Sequence, residues 1–161
     1  MIPPGLTWLP SCVLHPLIQS NGRPDLLVTT PGSGEVSVLR NVNGDGATWT
    51  EVYANAGGIG CLDFKAESDV AILIDYDENG LQDLLLIGRG RGIANFMYND
   101  GLPASWSPTS CVSKSTTGLP GFPLTRSTDV VVAQDVNSDG RTDLVMFGSG
   151  QLVIGSNTYN Q

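Results

Sequence analysis

Two nine-residue segments concentrate the side chains able to do chemistry: Asp75-Tyr76-Asp77-Glu78-Asn79-Gly80-Leu81-Gln82-Asp83 and Asp135-Val136-Asn137-Ser138-Asp139-Gly140-Arg141-Thr142-Asp143. In the first, Asp75, Asp77, Asn79 and Asp83 stand at positions 1, 3, 5 and 9; in the second these are Asp135, Asn137, Asp139 and Asp143. Hard oxygen donors at odd positions, with glycine at position 6 for the sharp turn, suit a calcium ion of six to eight ligands. Position 7 would give its backbone carbonyl, which leaves its side chain free to be Leu81 or Arg141. Asp, Asn and Gly also favour turns unaided, but crowding carboxylates into one short loop costs repulsion that a cation offsets. The bidentate Glu of an EF-hand is missing, with Leu86 and Met146 in its place, so each site is a loop between two strands. Two calcium ions per chain are expected, bringing a formal charge of -8 to about -4. A third frame, Leu17 to Leu27, carries Leu17 and Gln19 in the first two ligand positions and keeps only Asn21 and Asp25. It is expected to be metal-free.

The elements around the loops repeat with them. An apolar run and a glycine turn follow each frame, at Pro31-Gly32-Ser33-Gly34, Gly88-Arg89-Gly90 and Gly148-Ser149-Gly150. Each turn leads to a further strand-like stretch, Val36–Leu39, Ile93–Tyr98 and Leu152–Ile154. Val, Ile and Leu dominate the runs while Gly, Asn, Asp and Pro hold the turns, which is the pattern of strands and hairpins. The continuous stretches Val70–Ile74 and Val130–Ala133 are expected to be buried on both faces. Trp49 and Trp106 each follow a third strand, and Trp8 stands near the start. The period is about 59 residues, present nearly three times. Four antiparallel strands repeated radially make the blade of a β-propeller. The expected fold is therefore all-β, as one repeat domain over 1–161. Its parts are an outer strand at 1–9, blades at 10–58 and 59–116, and an incomplete blade at 117–161.

With Leu-Leu or Leu-Val after each acidic loop, these repeats resemble the FG-GAP repeats of integrin α-subunit propellers and the related VCBS-type repeats. The likeness runs over nearly the whole chain; the degenerate first loop and the short length depart from it. The resemblance implies propeller blades with calcium at their edges and a role in adhesion or carbohydrate recognition, fungal integrin-like lectins being the nearest functional analogy. It also implies an extracellular or cell-surface location, although Met1-Ile2-Pro3-Pro4-Gly5 does not read as a signal peptide.

Composition removes other classes. Sixteen acidic against eight basic residues repel a phosphate backbone, so nucleic acid is not an expected partner. No apolar run reaches the ~18 residues of a membrane span. His15 is the sole histidine and no G-x-S-x-G turn occurs, so no Ser-His-Asp set can be placed and no enzyme is expected. The run Gly88-Arg89-Gly90-Arg91-Gly92 reads as a hairpin tip rather than an anion cradle, lacking the strand-to-helix context of a P-loop. Cys12, Cys61 and Cys111 are an odd number, and equivalent positions on neighbouring blades exceed the ~7 Å reach of a disulfide. No mutual bridge is expected.

The expected function is a calcium-stabilised module recognising a glycan or glycoprotein, with Trp49, Tyr98 and Trp106 as stacking residues. The alternative is a structural assembly subunit without its own ligand. Propellers need about four to eight blades and the chain supplies fewer than three. Identical subunits are therefore the expected partners, in a head-to-tail dimer closing six blades.

Overall fold

Short apolar runs bounded by glycine, Asn and Asp turns form antiparallel strands throughout the computed structural model. It describes residues 12–15, 23, 25–99 and 113–158, with 12–15 and 113–114 described in backbone only. The chain is all-β, with no helix among the described residues, and its strands make three small antiparallel sheets. The first holds β1 (Cys12–His15), β2 (Asp25–Thr30), β3 (Glu35–Asn41) and β4 (Trp49–Asn55), paired in that order. The second holds β5 (Asp69–Ile74), β6 (Asp83–Gly88), β7 (Ile93–Met97) and β8 (Ser113–Ser115), again in chain order. β9 (Val130–Gln134), β10 (Asp143–Gly148) and β11 (Gln151–Gly155) make the third. The register repeats: Asp25 faces His15, Asp83 faces Ile74 and Asp143 faces Gln134. The strands expected around Trp8 and Trp106, with the outer strand at 1–9, lie outside the described residues.

Two linkers join the sheets and enter their cores. Each is pinned by an isolated bridge, Ile59 with Leu62 and Leu119 with Phe122. Each then turns through a fully buried residue in the left-handed region, Phe64 at φ 51° and Leu124 at φ 53°. That conformation is costly for a bulky side chain, and burial plus a clasp from the preceding hairpin offset it. Gly32 N–H donates to Phe64 O at 2.9 Å and Gly90 N–H to Leu124 O at 2.9 Å. In return Gly58 N–H donates to Gly34 O and Gly118 N–H to Gly92 O. Gly58 is irreplaceable here: its φ is +85° and a Cβ would lie 2.0 Å from Leu62 O.

The sheets stack through their faces. Leu27, Val36 and Val38 of the first sheet meet Leu84, Leu86 and Met97 of the second around Ile59, Leu62 and Phe64. On the other side Leu85, Ile87 and Ala94 meet Leu144 and Met146 of the third around Leu119, Phe122 and Leu124. The strand buried on both faces is thus β6, whose six residues are all buried. The expectation had placed this property on Val70–Ile74 and Val130–Ala133, and it is corrected. β5 and β9 are sheet edges and remain largely half-buried, with Val132 exposed. Apolar runs alone do not separate a central strand from an edge strand.

Since Leu86 and Leu85 serve opposite cores, Leu86→Ala and Leu85→Ala should each lower urea-unfolding stability by about 2–5 kcal/mol. Leu152→Ala, at an exposed position, should cost under about 0.5 kcal/mol. Equal losses at Leu86 and Leu152 would contradict the doubly buried assignment of β6.

Candidate calcium loops and an intersheet groove

The 75–83 loop leaves β5 at Ile74 and enters β6 at Asp83. Its backbone is folded around its own side chains. Gly80 N–H donates to Asp75 Oδ2 at 3.0 Å, Asn79 N–H to Asp77 Oδ1 at 3.2 Å, and Leu81 N–H to Asn79 Oδ1 at 2.7 Å. Glu78 turns the chain through φ 61°. The result gathers Asp75, Asp77 and Asp83, each offering one carboxylate oxygen within 4.8 Å of the others. Asp75 Oδ1 is buried and accepts no hydrogen bond, which leaves a desolvated anionic oxygen without compensation. A hard divalent cation fits this donor set.

The 135–143 loop repeats the same bonds at the same positions. Gly140 N–H donates to Asp135 Oδ2, Asp139 N–H to Asn137 Oδ1 and Arg141 N–H to Asp139 Oδ1, all at 2.9 Å, with Ser138 at φ 63°. Among the described residues only the first loop brings three acidic groups together; here Asn137 takes the place of Asp77. The Arg141 side chain pairs instead with Glu78 of the neighbouring loop, Nε to Oε1 at 2.8 Å, so the two loops are tied across the sheets. Of the first frame, the positions of Leu17, Gln19 and Asn21 lie outside the described residues.

Asp83 and Asp143 have a structural duty as well. Tyr76 N–H donates to Asp83 Oδ2 and Asn99 N–H to Asp83 Oδ1; Val136 and Asn157 do the same for Asp143. In the first sheet Asn41 N–H donates to Asp25 Oδ1 at 3.0 Å. Sequence reasoning missed these buried asparagines, although the repeat spacing of Asn41, Asn99 and Asn157 could have found them. Burial lifts the Asp83 carboxyl from 3.8 to about 6, and the Asp77 charge adds to it against the Asn99 and Tyr76 N–H bonds that favour the anion.

A groove of about 580 Å³ opens between the second and third sheets, lined by Tyr76 at the start of the 75–83 loop. One wall is aromatic: Tyr76 and Phe96 have ring centroids 4.5 Å apart, and Phe96 and Tyr98 stack at 6.5 Å with planes 14° apart. Thr142, Ser156 and Asn157 add polar residues to the lining, and Asn157 Nδ2 donates to Tyr76 O at 2.9 Å. The groove exists because of Gly155. Register places Gly155 against Leu144 as Met97 stands against Leu84, and Met97 is buried in the first intersheet core. There its Sδ packs where a Cβ on Gly60 would come within 2.5 Å. Of the expected stacking residues Tyr98 lines the groove, whereas Trp49 begins β4 and donates from Nε1 to Gly46 O. Trp106 lies outside the described residues. Tyr76 and Phe96 were passed over in the sequence because a loop residue and a strand residue show no common spacing.

Two other features are settled by the side chains. Arg89 and Arg91 sit in the hairpin between β6 and β7, and both are engaged. Arg89 donates to Ser68 O and Asp129 O, and Arg91 pairs with Asp63 at 2.9 Å and Asp69 at 2.5 Å. Cys61 is disulfide-bonded, correcting the expectation of no bridge; its partner is Cys12 or Cys111, whose side chains lie outside the described residues. Cys61 lies in the linker between the isolated bridge residues Ile59 and Leu62, not within a strand, so spacing by equivalent strand positions did not apply. Comparison with family models, with curated proteins and with solved structures gives no match.

The raised Asp83 carboxyl fixes a pH dependence. The folded chain holds this proton more tightly than the unfolded chain, so the stability it contributes is fully present below pH 3.8 and is lost as pH rises through about 6. A cation bound beside Asp83 reverses the balance. In chelator, this group should therefore lower the melting temperature between about pH 5 and about pH 7.5. Added calcium should raise the melting temperature more at the higher pH. A melting temperature indifferent to calcium at about pH 7.5, with no calcium by elemental analysis, would exclude the metal site. Asp77→Ala should remove one bound ion and Asp139→Ala another.

Proposed function

We propose that the chain is a calcium-stabilised module of β-propeller-type repeat sheets that recognises glycans, and that the groove beside Tyr98 takes a sugar ring. The groove carries this reading. A pyranose presents one apolar face and a rim of hydroxyls. A lining that combines the aromatic rings of Tyr76, Phe96 and Tyr98 with the polar residues Thr142, Ser156 and Asn157 offers both complements in one space. The acidic loops support the calcium assignment: Tyr76 lies inside one of them, so a cation held by Asp75, Asp77 and Asp83 would fix part of the groove wall. The face-to-face stacking of sheets in a repeated register supports the propeller-type assignment. The bridge at Cys61 supports an extracellular location, where disulfides persist. A second reading, an assembly subunit without its own ligand, is favoured by the apolar outer face of the third sheet.

Gly155 tests the glycan reading without touching the loops. Its backbone is not left-handed and a Cβ there would meet its nearest atom, Met146 Cε, at 3.4 Å, so a side chain is tolerated. Gly155→Met should fill the groove as Met97 fills its counterpart and abolish sugar binding, while leaving calcium binding intact. Tyr98→Ala should weaken binding at least about tenfold, or 1.4 kcal/mol. The measurement is a glycan array followed by calorimetry with the best sugar. Absence of saturable binding at millimolar sugar would reject the reading, as would binding indifferent to Gly155→Met.

A further inference from the structure

We infer that the two acidic loops take up calcium as one coupled unit, in which an ion at either loop raises the affinity of the other. This rests on the calcium reading proposed above and adds to it the regulation of each site by its neighbour. Glu78, Arg141 and Asn157 are the positioning residues that join the loops. Arg141 Nε donates to Glu78 Oε1 at 2.8 Å, and Asn157 Nδ2 donates to Tyr76 O at 2.9 Å. Neither Glu78 nor Asn157 stands at a ligand position, and Arg141 would offer only its main-chain carbonyl.

The Asn157 contact continues in both directions. Tyr76 N–H donates to Asp83 Oδ2 at 2.9 Å, while Asn157 N–H donates to Asp143 Oδ1 at 2.8 Å. The carboxylate that closes the first loop is thus joined to the one that closes the second through only two residues. Asp83 and Asp143 have no exposed surface and Asn157 is 4% exposed, so water competes poorly for these bonds. Asn99 holds the position of Asn157 in the second sheet, and its Nδ2 donates to Gln82 O within the loop of its own sheet. The bond from Asn157 crosses to the neighbouring sheet. Drawing Asp75, Asp77 and Asp83 together therefore also fixes Tyr76 and, through Asn157, the setting of Asp143.

Charge sets the sign of the coupling. Arg141 stands at position 7 of its loop, beside the carbonyl that a cation would use, and an unpaired guanidinium there would repel that cation. Glu78 of the other loop neutralises it. Glu78 lies between Asp77 and Asn79 at φ 61°, so the turn that carries two ligand positions of the first loop also carries the partner of Arg141. Repulsion between two bound ions does not cancel this. Asp75, Asp77, Glu78 and Asp83 give the first loop a formal charge of -4, and Asp135, Asp139 and Asp143 against Arg141 give the second -2. One divalent ion in each leaves -2 and 0. The second ion thus approaches no net positive charge, and the coupling is positive.

Calorimetric titration of the chelator-treated, desalted full chain with calcium alone tests this. Asp77→Ala leaves the second loop to bind by itself, and Asp139→Ala leaves the first. The product of the two binding constants of the intact chain should exceed the product of these two single-loop constants at least about fivefold. With Glu78→Gln, Arg141→Gln and Asn157→Ala introduced together, the same ratio should fall to about one while two ions still bind, because no ligand has been removed. Should a single-loop variant fail to fold, Glu78→Gln alone decides: it should lower the product of the intact chain's constants at least about fivefold, and adding Arg141→Gln should restore part of the loss. Two ions bound with a ratio near one in the intact chain would overturn the coupling and leave the calcium reading standing. A ratio unmoved by the triple substitution would overturn it too, as would a product indifferent to Glu78→Gln. A chain that binds no calcium would sink the calcium reading and the coupling together.

Discussion

A carboxylate with no exposed surface opens the second strand of each sheet, at Asp25, Asp83 and Asp143, and its hydrogen bonds decide what the loop end of the sheet can be. One oxygen accepts from the main chain at the end of the third strand, through Asn41, Asn99 or Asn157. In the second and third sheets the other oxygen accepts from the second residue of the acidic loop. The bond thus ties three consecutive segments to one anionic group. A buried carboxylate so placed is favoured as an anion by its N–H donors and disfavoured by its desolvation. At Asp83, with Asp77 nearby, desolvation wins. The loop is therefore held in shape by hydrogen bonds yet electrostatically under-compensated, the condition in which a divalent cation gains most.

The same constraint explains why the repeat frame was legible from residues alone. Asp, Gly and the following apolar pair recur at fixed offsets because each sheet needs the same carboxylate and central strand, and the second and third sheets need the same left-handed turn at Gly80 and Gly140. What the sequence concealed is relational. Val70–Ile74 and the run at Asp83–Gly88 are equally apolar, and only sheet order makes the first an edge and the second the centre. Tyr76 and Phe96 belong to different elements and meet as rings only when β5, β6 and β7 are assembled. Asn41, Asn99 and Asn157 look like ordinary turn residues, because nothing in a linear reading marks a main-chain N–H as the partner of a carboxylate fourteen to sixteen positions earlier.

Where the repeats agree they build the scaffold, and where they differ they leave space or surface. Met97 and Gly155 occupy one position of the frame; the first closes an intersheet space and the second leaves one open. The hairpins of the first two sheets have four-residue loops and clasp the linker that follows, whereas that of the third has only Ser149 and Gly150 between its paired ends. Both departures fall in the third repeat, and both lie on β11 or the turn that leads into it. The inward side of that strand gives up a core side chain at Gly155, while its outward side keeps Leu152 and Ile154 as though a neighbour were present. The two sides of β11 thus differ: its inner side walls the groove at Gly155, and its outer side leaves Leu152 and Ile154 at 68% and 52% exposure.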